Sequence, residues 1–223
     1  MASHELKTPL TSLQGYTEIL HTRIVEPGSQ EGQRYLGRMK IQIDRLSGLV
    51  NDLLDISKIQ AGKLAFAEEV VDINALVREV VENLHQTSSQ HQISIEGSVQ
   101  RAIVGDRDRL GQVLINLITN AMKYSPQAER IVISLMNTSD ALMVSVQDFG
   151  IGIPKAHQKK VFERFYRVYS DKDRTYPGLS IGLYIAQQII EHHGGKMWVE
   201  SVEGEGSTFG FSLPHRSKQL PEF

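Results

Sequence analysis

The chain has 223 residues, 40% of them hydrophobic and 22% charged, with a formal net charge of −2. That composition fits one large or two small soluble globular domains, and its near-neutral balance gives no reason to expect nucleic acid or an anionic membrane as a partner. The absence of cysteine excludes disulfides and thiolate metal sites and fits a reducing compartment, and no apolar run approaches the roughly 18 residues that cross a bilayer.

The opening MASHELKTPLTSL has no signal-peptide pattern and is helical in character from its first residues. We therefore expect a fragment of a longer protein, cytoplasmic, with any sensor or membrane attachment in a missing N-terminal part. Residues 2–25 place Leu6, Leu10, Leu13, Thr17, Leu20 and Ile24 at alternating steps of four and three, a heptad seam. Glu26-Pro27-Gly28-Ser29 breaks it. A second seam runs through Leu36, Met39, Ile43, Leu46, Val50, Leu53 and Ser57 and stops near Gly62. Two such helices form an antiparallel hairpin. Two apolar stripes make only a thin core, so a second copy is expected to complete a four-helix bundle as a homodimer.

After Gly62 the texture changes. KLAFAEEVV is expected as a strand and DINALVREVVENLHQ as a helix with an Asp N-cap. HQISIEGS reads as a strand, and RAIVGDRDRLGQVLINLITNAMKYSP as strand, turn and helix. RIVISLMN and ALMVSVQDFG alternate with period two, as paired strands do. Residues 154–180 are loop-rich, with one or two helical turns. LSIGLYIAQQIIEHHGG is a helix closed by glycine, and KMWVESVEGEGSTFGFSLP a hairpin. The class is α+β, without regular βαβ alternation. The expected domains are residues 1–64 and 65–223.

Several stretches carry chemistry. His4 lies on the outward face of the first seam, with Glu5 beside it and Thr8 one turn on. A carboxylate that accepts from Nδ1–H leaves Nε2 with its lone pair free, which makes a nucleophile; the bland alternative is a solvated surface histidine. Zinc by an HExxH pattern fails, because Thr8 stands where the second histidine belongs. Pro9 lacks an N–H and crowds the carbonyl of Glu5, so the helix should bend there. Asn116 and Asn120, four apart, project the same way, with Lys123 on that side. Amide oxygens and an ammonium suit a Mg²⁺–polyphosphate ligand, or form an ordinary polar helix face. Asp148-Phe149-Gly150-Ile151-Gly152 ends a strand, where a carboxylate can accept from an exocyclic amine and glycines permit close approach, or simply turn the chain. Phe162-Glu163-Arg164-Phe165-Tyr166-Arg167 offers arginines to a phosphate, while Phe162 and Phe165 are expected to pack as helix residues in the core. Gly178-Leu179-Ser180-Ile181-Gly182 spells G-x-S-x-G, which can present a nucleophilic serine or feed a phosphate-cradling helix N-terminus. The serine elbow needs a buried strand before it, and DKDRTYP is charged and proline-broken.

The stretch Ser3-His4-Glu5-Leu6-Lys7-Thr8-Pro9-Leu10 closely resembles the H box of sensor histidine kinases, and NDLLDISKIQAGKL resembles the end of their dimerisation hairpin. The asparagine helix, Asp-x-Gly-x-Gly, aromatic block and glycine turn follow in the order of the asparagine, first glycine, phenylalanine and second glycine boxes of GHKL ATPases. This is no Walker-A or Rossmann site. The resemblance implies a dimeric hairpin followed by an α/β sandwich of Bergerat type. It implies His4 as phosphoacceptor, Glu5 as its acid/base partner and Thr8 as the residue positioning water for dephosphorylation. It implies ATP and Mg²⁺ as ligands, Asn120 as the metal ligand and Asn116 and Lys123 near the phosphates. Tyr124 would lie against the nucleotide, Asp148 would read the adenine amine beside Gly150 and Gly152, Tyr166 would bind the nucleotide, and Arg167 in the lid would be catalytic, stabilising the transferring charge. Gly178, Ser180, Gly182 and Leu183 would form the second glycine box, with serine replacing its middle glycine. The implied activity is autophosphorylation of His4 and transfer to an aspartate of a response-regulator receiver domain, with phosphatase activity towards it. The alternative is a phosphatase-biased or scaffolding core whose autokinase Ser180 weakens.

Overall fold

The computed structural model describes residues 2–22, 30–87, 91–128, 130–168 and 180–215. Two compact units are present, dividing between Leu64 and Ala65. No helix among the described residues is long and apolar enough to cross a membrane.

The first unit is a helical hairpin of α1 (Ala2–Thr22) and α2 (Gln30–Gln60). The break expected at 26–29 lies outside the described residues. Tyr16 and Tyr35 meet across the pair with ring centroids 6.1 Å apart. α2 ends in a Schellman motif: Gly62 sits at φ +62°, its N–H donates to Ile59 O, and Lys63 N–H donates to Lys58 O. Each heptad seam splits into two rows. Leu6, Leu13 and Leu20 on α1, and Met39, Leu46 and Leu53 on α2, are part-covered within the single hairpin. The alternate row is open: Leu10 is 49% exposed, Leu36 58%, Ile43 50% and Val50 43%. Leu49 and Ile56, outside the expected seam, are buried instead.

The second unit is a two-layer α/β sandwich. Its elements are β1 (Glu69–Val71), α3 (Ile73–Thr87), β2 (Gln92–Gly97), β3 (Ile103–Gly105), α4 (Arg107–Tyr124), β4 (Arg130–Asn137) and β5 (Ala141–Asp148). They continue with α5 (Lys155–Gln158), a 3-10 turn (Lys160–Phe162), α6 (Gly182–His192), β6 (Lys196–Val202) and β7 (Gly206–Pro214). Five strands form one sheet in the order β2-β4-β5-β7-β6. β2 runs parallel to β4 and the other pairs are antiparallel. β1 and β3 make a separate antiparallel ribbon.

Period-two alternation sends Leu142, Val144 and Val146 of β5, and Phe209, Phe211 and Leu213 of β7, to the buried side. There they share a core with Leu110, Leu114, Leu117 and Ile118 of α4 and Ile185 and Ile189 of α6. Asp72 caps α3 as expected, its Oδ1 accepting the N–H groups of Asn74 at 2.8 Å and Ala75 at 3.1 Å. Those bonds hold its carboxyl below the usual range, that from Ala75 first.

Two local expectations need correction. The strand expected through KLAFAEEVV forms only over Glu69–Val71, because Ala67 gives its N–H to the Asp106 carboxylate at 2.8 Å instead of to a strand. The aromatic block is not a helix beyond the 3-10 turn. Phe162 does meet the core, edge-on to Phe209 at 6.2 Å between centroids. Phe165 stays part-exposed with φ +64°, the Arg164 guanidinium 5.3 Å above its ring.

Candidate active site

The phosphoacceptor candidate sits in the first unit. The backbone of His4 and Glu5 is helical in α1, and their side chains lie outside the described residues. Thr8 is exposed one turn further along, and Pro9 lies inside the helix. The 3.6-residue repeat puts residues 4 and 8 on one face.

In the second unit two contacts join expected nucleotide residues: Asn116 meets Gly182, and the Tyr124 end of α4 meets the turn after Asp148. Asp106 starts α4 as its N-cap, its Oδ1 accepting Arg109 N–H at 2.9 Å, and the helix delivers Asn116, Asn120, Lys123 and Tyr124 towards its other end. Asn116 is already engaged: its Nδ2 donates to Gly182 O at 3.2 Å, strapping α4 to the start of α6. A Cβ on Gly182 would fall 2.8 Å from Asn116 Oδ1, so this approach requires glycine. Asn120 is half-buried and makes no side-chain hydrogen bond among the described residues. Lys123 holds its ammonium 4.8 Å from the centre of the Tyr124 ring.

Asp148 ends β5, buried, with Oδ1 accepting Gly150 N–H at 2.9 Å. Burial pushes its carboxyl up from the ordinary value, and the backbone N–H groups of Gly150 and Ser207 pull partly against that. The turn after it is wedged against the end of α4: Ile151 N–H donates to Tyr124 O at 3.2 Å, and a Cβ on Gly150 would come within 2.1 Å of that same oxygen. Gly152 takes φ +65° with Val202 O where its Cβ would be. The two glycines therefore dock this turn between α4 and the β6–β7 turn, with Asp148 held at the junction.

Tyr166 hydrogen-bonds through its hydroxyl to His157 Nδ1, and Lys160 lies 5.9 Å from its ring centre. Arg167 is part-exposed on the same segment. Gly178 lies outside the described residues. Ser180 has φ +52°, in the left-handed region, and Ile181 follows as the buried N-cap of α6, with Gly182 and part-exposed Leu183 in its first turn. A serine here carries a Cβ where glycine carries none, at a cost of roughly 1–2 kcal/mol. The residues that lead into Ser180 lie outside the described residues, and the charged, proline-broken sequence DKDRTYP there argues against a nucleophile elbow.

Sequence reasoning passed over two residues. Asp106 had a legible signal, an acidic residue just before an apolar-periodic helix. His193 had none: it is buried and accepts Asp106 N–H on Nε2 at 3.0 Å across 87 residues of chain.

Comparison with known proteins places this geometry. Residues 1–62 match the His Kinase A (phospho-acceptor) domain, and residues 105–217 match the ATPase domain common to histidine kinases, DNA gyrase B and HSP90. The chain belongs to the sensor histidine kinases. The sensor histidine kinase WalK of Bacillus subtilis is 38% identical over 221 residues, covering 97% of this chain and 36% of that relative. The chain thus spans about a third to a half of the curated relatives it matches. Among solved structures, the histidine kinase AdeS of Acinetobacter baumannii superposes with a TM-score of 0.73 at 27% identity, covering 96% of this chain and 98% of its own. Full-length ShkA, solved with AMPPNP, superposes at 0.71 and 26% identity, covering 99% of this chain and 46% of that one. The kinase core therefore consists of a phospho-acceptor hairpin and an ATPase-type sandwich.

Proposed function

We propose that this core binds Mg-ATP at the Asn120–Asp148 end of the sandwich, phosphorylates His4, and passes the phosphoryl group to an aspartate of a response-regulator receiver domain. The observation that supports the reading is the contact between the Tyr124 end of α4, the helix that carries Asn116 and Asn120, and the turn that follows Asp148, in a chain whose H-box histidine is helical in the other unit. The ATP analogue bound by ShkA supports the ligand.

Asp148 accepts from the adenine amine, with Gly150 and Gly152 letting the ring approach the backbone. Tyr124 lies against the nucleotide, and Lys123 and Arg167 offer charge to the phosphates. The Asn120 amide oxygen is the protein ligand for Mg²⁺. Among the described residues no three His, Asp or Glu side chains converge on a metal, so the ion would be held chiefly by phosphates and water, as Mg²⁺ usually is. When bound, it neutralises phosphate charge. Glu5 accepts from His4 Nδ1–H, and Nε2 attacks the γ-phosphorus in line. The bond from the γ-phosphorus to the bridging oxygen breaks, and ADP leaves. Thr8, on the face of His4, orients the water that hydrolyses the regulator's aspartyl phosphate, releasing the aspartate and inorganic phosphate. The open row Leu10, Leu36, Ile43 and Val50 supports a homodimer, and the core acts in the cytoplasm.

Labelling with γ-labelled ATP and Mg²⁺ tests this. Acid-labile label lost in His4→Gln is the expected result; acid-stable label, or label surviving that change, would sink it. A second reading, a phosphatase-biased core, is favoured by the left-handed Ser180. It wins if the parent does not label and still dephosphorylates a regulator in a Thr8-dependent way.

A further inference from the structure

α6 is strapped to α4 at both of its ends, at the start of α4 and at its middle. Asn116 and Gly182 make one strap. Asp106 and His193 make the other. The helical spans between the straps match: Asp106 to Asn116 is about 15 Å and Gly182 to His193 about 16 Å at 1.5 Å rise per residue. One strap adjoins the proposed nucleotide residues. The other holds the chain as it enters this unit. Ala67 donates to Asp106 Oδ2 at 2.8 Å, and Phe66 stacks on His192 with ring centroids 3.7 Å apart and meets His193 edge-on at 5.5 Å.

Two hydrogen bonds define the ring orientation of His193. Nε2 accepts from Asp106 N–H, so it carries no proton. Nδ1 lies 2.7 Å from Ile189 O, a carbonyl, so Nδ1 carries the proton and donates. A buried, neutral imidazole thus joins the end of α6 to the start of α4. The Asp106 carboxylate, with one oxygen on Arg109 N–H and the other on Ala67 N–H, extends the join to the entering segment. Burial opposes ionisation of Asp106, but those two N–H groups, then the charge of Arg109 and last any positive charge on His193, outweigh it and hold the carboxyl below its ordinary value. β3 fits the same contact: a Cβ on Gly105 would lie 2.7 Å from His193 Cδ2.

We infer that His193, acting through Asp106, is a positioning residue for phosphoryl transfer. It anchors segment 65–67, the start of the sandwich unit, to the α4–α6 bracket whose far end carries the nucleotide site. The inference rests on the proposed kinase reading for its functional consequence. The nucleotide end has its own strap, so loosening the His193 end should leave ATP affinity intact and slow delivery of the γ-phosphate to His4.

The test compares the parent chain with His193→Ala, His193→Gln and Gly105→Ala. Gln can restore an acceptor to Asp106 N–H. Gly105→Ala displaces the ring without removing any hydrogen-bonding group. Three readouts are taken: affinity for a fluorescent ATP analogue, the single-turnover rate of His4 labelling, and amide hydrogen exchange. We expect affinity within about twofold of the parent, labelling at least tenfold slower in His193→Ala and Gly105→Ala, and partial rescue in His193→Gln. Exchange over residues 65–71 should rise at least tenfold while residues 113–121 stay protected. Affinity and labelling falling together, with exchange rising throughout, would make His193 merely structural and overturn the inference. Unchanged exchange at 65–71 would overturn it too, whether or not the parent labels. A parent that neither binds the analogue nor labels His4 would instead remove the kinase reading, and the exchange result would still judge the anchor.

Discussion

Ser180 is the residue where local chemistry and fold disagree. Its φ of +52° lies where a Cβ is disfavoured by roughly 1–2 kcal/mol. Replacing it with glycine removes that strain but adds backbone freedom to the unfolded chain, so the expected gain is about 1 kcal/mol. For a chain of this size that raises the melting temperature by about 2–4 °C. Differential scanning calorimetry on Ser180→Gly checks it, and an unchanged or lower midpoint would mean the strain is relieved elsewhere. Asp148 makes a second prediction. Burial raises its carboxyl above the ordinary range, so the empty site holds a proton to higher pH than a free aspartate does. An adenine amine donating to the carboxylate favours the ionised form. Nucleotide affinity should therefore fall as pH drops through that raised range, and Asp148→Asn should bind weakly with a flat pH profile. Calorimetric titrations with an ATP analogue at several pH values decide this; a parallel slope in the variant would refute it.

At the scale of elements, α2 carries an unexpected feature. Burial pushes the Asp52 carboxyl from 3.8 up to about 6, and the Asp55 carboxylate one turn on adds to that. Between pH 4 and about 6 the folded chain then binds more protons at this site than the unfolded chain does. Stability contributed here is present at low pH and is lost as pH rises through about 6. Asp52→Asn should raise the melting temperature at pH 7.5 and change it little at pH 4. Melting curves at the two pH values measure the difference, and an equal effect at both would argue against a titrating Asp52. Much of the element pattern was legible beforehand. Heptad steps located α1 and α2, period-two runs located β4 and β5, and the Asp72 cap located the start of α3. The shortfall at residues 63–68 was not legible, because the competing acceptor for Ala67 N–H belongs to Asp106, 39 residues away.

At the scale of the molecule, the hairpin leaves one row of its heptads open. Burying Leu36, Ile43 and Val50 against a second copy would gain roughly 1.5–3 kcal/mol for each side chain fully covered. Ile43→Glu places a charge in that row and should convert a dimer into a monomer while leaving the ATPase-type unit folded. Light scattering after gel filtration measures the mass, and a dimer that survives the change would move the interface to another face.

Sequence alone determined the class of most helices and strands and the order of the chemical motifs, because helical and strand periodicities and turn residues are local signals. It also placed His4, Asn116, Asn120 and Asp148 in positions that allow chemistry, without joining them. Only the tertiary structure decided which of these are engaged. It turned Asn116 into a strap on Gly182, put Ser180 in a left-handed turn, and made His193 the acceptor for Asp106. Those outcomes depend on contacts between residues far apart in the chain, where a side chain's partner is chosen by packing and not by its neighbours in sequence.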